Sequence, residues 1–243
     1  MHASVDFISN WHSKRNPCKQ RNAFFHGTMV EIRKYDLPDF EIFYNASRYP
    51  EYVIWVPDDC FIVLGNSNKP RENLIIEHIL DDGIAVYKRP SGGETVILTP
   101  NTLVISIKVI LEKFSNPTAH FQYFNEKIIQ ALAQLGVRDL YYRGISDIAI
   151  GNKKILGSSI YRSRKVLFYH AVLNVSEDIH TIVRYIKHPG REPDYRNGRT
   201  HHDFVTSLYD EGYRLPMEKI SDSLKNSFAT LNEKEIRRLS NDK

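Results

Sequence analysis

The first half of the chain alternates between runs that predict strands and runs that predict helices. Stretches rich in β-branched and aromatic residues, each bounded by turn residues, predict strands at 28–34, 52–56, 60–64 and 102–109. Residues 84–96 read as a strand, a turn and a second strand. Apolar residues at helical spacing predict helices at 72–80 and from Asn116 to Gly136, and 40–49 shows weaker helical periodicity.

The second half changes to a meander of strands. Residues 145–150, 154–161 and 165–175 predict strands that are separated by short polar turns. Ser176 is placed to cap a helix that ends at Tyr185, residues 187–203 form a long basic loop, and 215–239 are mostly helical. Strands separated by helices, followed by a meander, predict an α/β (α+β) domain with a mixed β-sheet flanked by helices.

The length of 243 residues is sufficient for one large domain with its own core. No long linker or low-complexity run divides the sequence, so we expect a single catalytic domain over 1–243 without a separate accessory domain. Residues 1–27 are polar and predict an irregular N-terminal arm, and 215–243 predict a C-terminal helical segment.

Composition narrows the class of protein. Lys and Arg number 33 against 29 Asp and Glu, and the resulting net charge of +4 is too small to indicate a nucleic-acid partner by itself. No apolar run approaches the ~20 residues of a membrane span, and the polar N-terminus does not resemble a signal peptide. Two cysteines, Cys18 and Cys60, do not make a zinc site. We therefore expect a cytoplasmic protein that binds neither nucleic acid nor membrane.

A basic, glycine-containing turn follows the strand that begins at Ile84. It contains, in order, Lys88, Arg89, Ser91, Gly92 and Gly93. Paired glycines let a backbone approach a ligand and expose successive N–H donors, while adjacent cations neutralise an anion. The turn suits a phosphate or a carboxylate, although a surface β-turn with two basic neighbours would have the same sequence.

A second group of polar residues lies in the meander. It contains Asp147, Lys154, Gly157 and Ser158, and His170 follows on the next predicted strand. Each of them alone has a simpler explanation, such as an exposed turn lysine or a hydrogen-bonded strand histidine. If the two groups converge, they would bind a nucleotide phosphate and a carboxylate substrate together.

These motifs, in this order, resemble lipoate-protein ligases and their octanoyltransferase relatives, which share a catalytic fold with biotin-protein ligases. Residues 88–93 resemble the Arg-Arg-x-Ser-Gly-Gly-Gly turn of that family, and 147–158 resemble its Asn-Asp strand followed by Lys-x-x-Gly-Ser. His170 stands where the family's His-Gly strand has its histidine. The resemblance covers about 60–175 and implies a biotin/lipoate-protein ligase-like catalytic domain.

The resemblance also implies a two-step reaction. ATP, with Mg²⁺, would activate lipoate or octanoate to an acyl-adenylate, which a lysine of a lipoyl carrier domain would then attack. That carrier would be a 2-oxoacid dehydrogenase E2 subunit or a protein like the glycine cleavage H protein. Lys154 would be the catalytic residue and would stabilise the developing oxyanion. Asp147 would help to hold Mg²⁺ or the nucleotide, with no certain metal ligand. The other implied substrate- and ATP-binding residues are Lys88, Arg89, Ser91, Gly92, Gly93, Gly157, Ser158 and His170.

The chain departs from the family pattern at several positions. Glu94 replaces the third glycine, Leu98 and Thr99 replace a His-Asp pair, Asn101 replaces a glycine, and Ser146 replaces an asparagine. Two alternatives stay open. One is an octanoyl or lipoyl transferase that uses an acyl-carrier donor, and the other is a non-catalytic module that binds an acyl carrier. Because many full ligases have an accessory domain, a separate accessory chain is a further expected partner.

Overall fold

A computed structural model of the chain describes residues 29–47, 49–111 and 116–239. The arm predicted at 1–27 lies outside these residues. The described part of the chain contains ten strands: β1 (Ile32–Lys34), β2 (Glu51–Trp55), β3 (Phe61–Leu64), β4 (Ala85–Lys88), β5 (Val96–Leu98), β6 (Thr102–Ile110), β7 (Leu140–Arg143), β8 (Asp147–Ile150), β9 (Lys153–Ser163) and β10 (Val166–Asn174). The α-helices are α1 (Glu41–Tyr44), α2 (Pro70–Asn73), α3 (Ile76–Asp82), α4 (Pro117–Gln134), α5 (Ile179–Tyr185), α6 (His201–Phe204), α7 (Met217–Phe228) and α8 (Glu233–Leu239). Short 3₁₀ helices occupy Pro38–Phe40 and Asp194–Arg196.

The larger sheet has six antiparallel strands in the order β2-β6-β10-β9-β8-β7. Side chains alternate between the two faces of a strand. On β10, Leu167, Tyr169 and Leu173 enter the main core with residues of α4 and α7. Phe168 and His170 therefore point to the opposite face, where Phe168 joins a different apolar cluster. Helices thus cover one face of this sheet and leave the other for the second sheet.

The smaller sheet has the order β1-β4-β3-β5, with β4 parallel to both of its neighbours. A parallel pair needs a crossover connection, which α2 and α3 provide between β3 and β4. Its outer face packs in a cluster that includes Ile62, Ile79, Val86 and Tyr185. Its inner face contributes Val63 and Leu98 to the cluster that also contains Phe168. The two sheets therefore face one another across a shared apolar layer.

Most predicted elements are confirmed, with changed bounds. The long helix α4 begins where predicted, because the Asn116 side chain accepts a hydrogen bond from the Ala119 amide at 3.1 Å. Gly136, with φ of 87°, lies just beyond its end. Residues 102–109 and the meander strands are present as predicted.

Three local predictions were wrong. The helix expected at 72–80 is divided into α2 and α3, because Leu74 forms a β-bridge with Ile186 and interrupts it. The helix after β10 is capped by Asp178, whose side chain accepts from the His180 amide at 2.8 Å, and not by Ser176. Strand β7 was not predicted, and the loop at 187–203 contains the 3₁₀ helix and the start of α6. Tertiary pairing explains the first difference, since Leu74 and Ile186 are distant in sequence. Strand β7 forms a local hairpin with the next strand, β8, so distance in sequence does not explain why it was missed.

Candidate active site

A cavity of about 740 Å³ lies between the two sheets. Both groups of residues nominated from sequence reach it. Arg89 and Gly93 come from the basic turn, and a run of residues comes from β8, β9 and β10. The nominated residues of the second group that line the cavity are Asp147, Lys154, Gly157, Ser158 and His170. The structure thus brings together two segments that are about sixty residues apart.

A β-bulge turns Lys154 into this cavity. Asp147 pairs with Gly157 and Ile148 with Leu156, but Ala149 then pairs with Lys154, so that Ile155 is the extra residue. Directly paired residues on antiparallel strands share a face, and a bulge moves the following residues to the other face. Lys154 therefore lies on the same face as Asp147. With regular pairing it would have pointed toward the helices.

Lys154 and Asp147 form an ion pair on the cavity wall. The Lys154 Nζ atom lies 2.9 Å from Asp147 Oδ1. The lysine side chain passes directly over Gly157, where a Cβ would lie 2.7 Å from Nζ. Asp147 is only 4% exposed, whereas the Lys154 side chain is 29% exposed. One N–H of the Lys154 ammonium is thus directed at Asp147, and its other two N–H groups have no partner among the described residues and can donate to a ligand.

Tyr195, from the loop at 187–203, reaches the same carboxylate. Its hydroxyl donates to Asp147 Oδ2 at 2.9 Å. Burial, followed by the charge of Asp147, raises the pKa of Tyr195 well above its ordinary value, so the hydroxyl stays protonated and acts as a donor. Sequence reasoning did not nominate this tyrosine, and the only available signal was an aromatic residue within a polar loop.

On the opposite wall, Arg89 holds the basic turn together from within. Its guanidinium donates to the carbonyl oxygens of Val63 (3.2 Å), Gly92 (2.9 Å) and Glu94 (2.8 Å), and its Nε donates to Ser91 Oγ at 3.0 Å. The residue is 4% exposed, and burial lowers its pKa to about 10, far above neutrality. Of the two adjacent cations in the turn, Lys88 and Arg89, Arg89 therefore stabilises the backbone of the turn itself.

Ser91 and His170 form a buried contact behind the cavity. Ser91 Oγ lies 2.6 Å from His170 Nε2. Ser91 Oγ also accepts from Arg89 Nε and has a second lone pair, so the tautomer of the imidazole sets which of Ser91 Oγ and His170 Nε2 is the donor. Burial, together with the charge of Arg89, lowers the pKa of His170 to about 3, in agreement with a neutral ring. Ser91 is 1% exposed and is not placed to attack a ligand.

Two close approaches fix the turn against its surroundings. A Cβ on Gly65 would lie 1.9 Å from the carbonyl oxygen of Gly93, so the loop after β3 and the turn touch through their backbones. From the other side, Ser159 Oγ donates to the Gly92 carbonyl at 2.9 Å. Ser159 was not nominated from sequence, whereas its neighbour Ser158 donates to the Ser146 carbonyl at 2.7 Å.

A smaller chamber of about 150 Å³ adjoins the cavity and shares Glu94, Lys154 and Val172 with it. Apolar walls are provided by β5, β9, α5 and α6, including Ile97, Leu156, Ile182, Ile186 and Phe204. Arg196 also lines it, and it stacks on Phe204 with 4.8 Å between the guanidinium carbon and the ring centre. Its Nη2 atom is buried without a hydrogen-bond partner among the described residues. The chamber therefore offers apolar surface and an unused donor.

The remaining nominated residues lie behind the cavity wall. Lys88 Nζ donates to the Asn68 carbonyl at 3.4 Å, and Ser91 and Gly92 contact the cavity residues His170 and Arg89. A magnesium site built from protein alone does not fit. The described residues contain no group of three or more His, Cys, Asp or Glu side chains, and both oxygens of Asp147 already have partners. Among the described helices, none has the length and apolar character to cross a bilayer.

Several known proteins resemble this chain in sequence or in fold. The protein LplJ of Bacillus subtilis, a lipoate-protein ligase, is 28% identical over 137 residues, which are 56% of this chain and 40% of that protein. The chain thus spans about two fifths of the length of this curated relative. A bipartite lipoate protein ligase of Thermoplasma acidophilum, from an archaeal lipoylation system with an E2 lipoyl domain, has a similar fold. The TM-score is 0.67 at 19% identity, covering 86% of this chain and 91% of that one.

A crystal structure of a lipoate-protein ligase A bound with ATP gives a TM-score of 0.66 at 18% identity, again over 86% of this chain and 91% of the other. The lipoyl protein ligase A/B catalytic domain family matches residues 41–229, which include every residue of the site described above. Both the fold and the sequence match cover well over half of the chain, and the chain belongs to the lipoyl protein ligase A/B catalytic domain family.

Proposed function

We propose that this chain activates lipoate or octanoate with ATP and transfers the acyl group to a lysine of a lipoyl carrier domain. The observation that carries the proposal is the placement of Lys154. Its ammonium group lies in a 740 Å³ cavity between the sheets, with two free donors, opposite a turn whose glycines expose backbone. A fixed cation at this point suits a reaction in which negative charge develops on a carbonyl and a phosphoryl oxygen.

In the first step, a carboxylate oxygen of the acid attacks the α-phosphorus of ATP, and pyrophosphate leaves. Lys154 would contact the acyl carbonyl and the α-phosphate, and its charge would stabilise the developing negative charge. In the second step, the amine of the carrier lysine attacks the acyl carbonyl, AMP leaves, and the amine loses a proton to form the amide. Lys154 forms no covalent bond in either step.

The two chambers give the substrates different places. The end of the cavity lined by Val63, Leu98 and Val104 is apolar and suits the acyl chain. The smaller chamber adjoins it at Lys154 and has apolar walls with the unpartnered Arg196 donor, which suits a flat nitrogen-containing ring such as a nucleobase. Mg²⁺ would be held mainly by the phosphates, with Asp147 as at most one protein ligand. The loop at 187–203 would exclude water from the adenylate.

Partners follow from the same proposal. The carrier would be a 2-oxoacid dehydrogenase E2 lipoyl domain or a protein like the glycine cleavage H protein. The Thermoplasma ligase is described as bipartite, and this chain spans about two fifths of its relative LplJ. A second chain or segment that completes the activity is therefore part of the proposal.

A thioester route from an acyl carrier is the second candidate, and the position of Cys60 does not support it. Cys60 is buried with 3% exposure in the outer cluster of the smaller sheet, and the cavity wall near β8 carries Tyr142. A thioester-forming enzyme needs an accessible thiol at the acyl carbonyl. Cys18 lies outside the described residues.

The test is to incubate the protein with ATP, Mg²⁺, lipoate and an apo lipoyl domain and to determine the mass of the domain. We expect an increase of one lipoyl group that is lost in Lys154→Ala and kept in Lys153→Ala, since Lys153 is an exposed neighbour. Modification from octanoyl carrier protein without ATP would establish the transferase instead. Carrier binding without modification from either donor would establish a non-catalytic binding module.

A further inference from the structure

The loop at 187–203, here called the strap, is fixed over the cavity by packing at Tyr195. The tyrosine ring packs against Phe204, with 5.0 Å between ring centroids. Below it, Gly144 leaves room, because a Cβ there would lie 3.2 Å from Pro193 Cβ and 3.6 Å from Tyr195 Cε1. The ring is thus held from two sides, and its hydroxyl is directed at one atom.

That atom is the Asp147 oxygen that Lys154 does not use. Lys154 Nζ forms an ion pair with Asp147 Oδ1 at 2.9 Å, and the Tyr195 hydroxyl donates a hydrogen bond to Asp147 Oδ2 at 2.9 Å. A carboxylate with one strong partner on each oxygen cannot rotate without losing both contacts. Because Asp147 is almost fully buried, the loss of either partner leaves its carboxylate poorly solvated and costs free energy.

We propose that Tyr195 is a positioning residue that acts through Asp147 to place the Lys154 ammonium, so that closure of the strap sets the geometry of the lysine. This inference rests on the proposed function. Tyr195 and Lys154 share no hydrogen bond in the described part of the chain. Tyr195 therefore influences the position of the Lys154 ammonium through the Asp147 carboxylate that both side chains contact.

A second connection supports the coupling. Immediately after the strap and α6, Val205 forms a parallel bridge with Lys154, and the Thr206 amide donates to the Lys154 carbonyl at 2.9 Å. The backbone that leaves the strap is therefore bonded to the same residue whose side chain Tyr195 controls. Displacement of the strap would disturb Lys154 at both its main chain and its side chain.

The kinetic test is Tyr195→Phe, which keeps the ring packing and removes the hydroxyl. We expect kcat for adenylate formation to fall about tenfold while KM for lipoate changes less than twofold, because the lysine contact is needed mainly in the transition state. Tyr185→Phe is the matched control, since Tyr185 also donates to a carboxylate, Asp82, at 2.7 Å but away from the cavity. Equal kcat values for Tyr195→Phe and wild type would overturn the proposal.

A measurement without activity separates this proposal from the proposed function. The Tm loss of the double variant Tyr195→Phe, Lys154→Met should exceed the sum of the single losses, since the buried carboxylate then has neither partner. In an Asp147→Asn background the excess should disappear. An additive or smaller loss would show that the two residues are not coupled, even if the protein is a ligase. A clear excess in a protein that makes no adenylate would support the coupling and refute the activity.

Discussion

The two walls of the cavity use their cations in different ways. On the basic turn, Arg89 is buried and directs its donors at three carbonyl oxygens and a serine of the protein itself. On β9, the Lys154 ammonium has Asp147 as its one partner among the described residues, and it is partly exposed to the cavity. Both cations were nominated from sequence as ligand-binding groups.

A cation in a glycine-containing turn can therefore stabilise the backbone of that turn and need not bind a ligand. Arg89 donates to the carbonyl groups of Val63 and Glu94 and shares the Gly92 carbonyl with Ser159, and the loss of such a charged donor has a large free-energy cost. Its positive field still reaches the cavity, so a contribution to anion binding stays a prediction. Variants of the turn should therefore change stability first, and variants around Lys154 should change activity first.

The largest expected effect is on the turn side, at Gly65. In Gly65→Ala the new Cβ would overlap the Gly93 carbonyl oxygen at 1.9 Å, and backbone atoms on both sides must move. We expect a loss of about 3 kcal/mol or more in the free energy of unfolding, measured by urea denaturation. Gly92→Ala is the control, because nothing lies within 4 Å of its added Cβ. A Gly65→Ala protein as stable as Gly92→Ala would contradict the close approach.

On the lysine side, Gly157→Ala should separate activity from stability. The added Cβ would lie 2.7 Å from Lys154 Nζ, which is the end of a flexible side chain and can move away. We expect the free energy of unfolding to fall by about 1–2 kcal/mol, less than in Gly65→Ala, because Asp147 loses its ion-pair partner. The rate of lipoyl transfer should fall roughly 10- to 100-fold, because the ammonium leaves its position. Mass measurement of the carrier domain over time gives the rate. A large loss of stability with normal activity per folded molecule would contradict the assignment of Lys154 to activity and of the turn to stability.

Glu94 lines both the cavity and the smaller chamber, and its substitution should change ligand affinity less than Gly157→Ala changes the transfer rate. It stands at the family's third glycine, lines both chambers, and accepts only a 3.5 Å contact from Asn68 at its carboxylate. Its carbonyl, and not its side chain, is bonded to Arg89. In Glu94→Gln the loss of one negative charge should tighten ATP binding roughly 3- to 10-fold, measured by calorimetry. Weaker binding would instead make the carboxylate part of the ligand site.

The last expected effect is a pH dependence of stability at His170, which contacts Ser91 of the turn. His170 has a pKa of about 3 in the fold against ~6.5 when unfolded, so it contributes stability that is present above pH 6.5 and is lost as the pH falls toward 3. Relative to wild type, His170→Gln should lose less stability between pH 6 and 5, by up to about 1.4 kcal/mol per pH unit. Parallel stability curves in urea would contradict a buried neutral histidine.

Asp39 gives the opposite sign and serves as the internal control. Burial raises its pKa to about 6, and it accepts from Tyr35 and Ser106 beneath the cavity. Its protonation stabilises the fold at low pH, and this contribution is lost as the pH rises from about 4 to 6. Asp39→Asn should therefore lose more stability than wild type as the pH is lowered from 6 to 4.

Much of the fold could be predicted from the local pattern of apolar, capping and turn residues. The Asn116 cap, the Gly136 terminus and the apolar spacing of α4 are all contained within one segment, and they were predicted correctly. Elements that depend on distant partners were not. The break at Leu74 arises from pairing with Ile186, which is distant in sequence, and residues such as Tyr195 and Ser159 gave no usable local signal. Strand β7 is an exception, because its partner β8 is its neighbour in sequence and it was still missed.

The amino-acid sequence contained the motifs that resemble the family, the order of most strands along the chain and most of the residues that meet in the site. These features lie in residue types, motif order and spacing along one chain. Which of the nominated residues face the cavity depends on the tertiary structure. The bulge at Ile155 turns Lys154 from the helix side to the cavity side, and burial commits Arg89 to its own turn. Register and burial depend on contacts between segments distant in sequence, and a linear pattern does not record them.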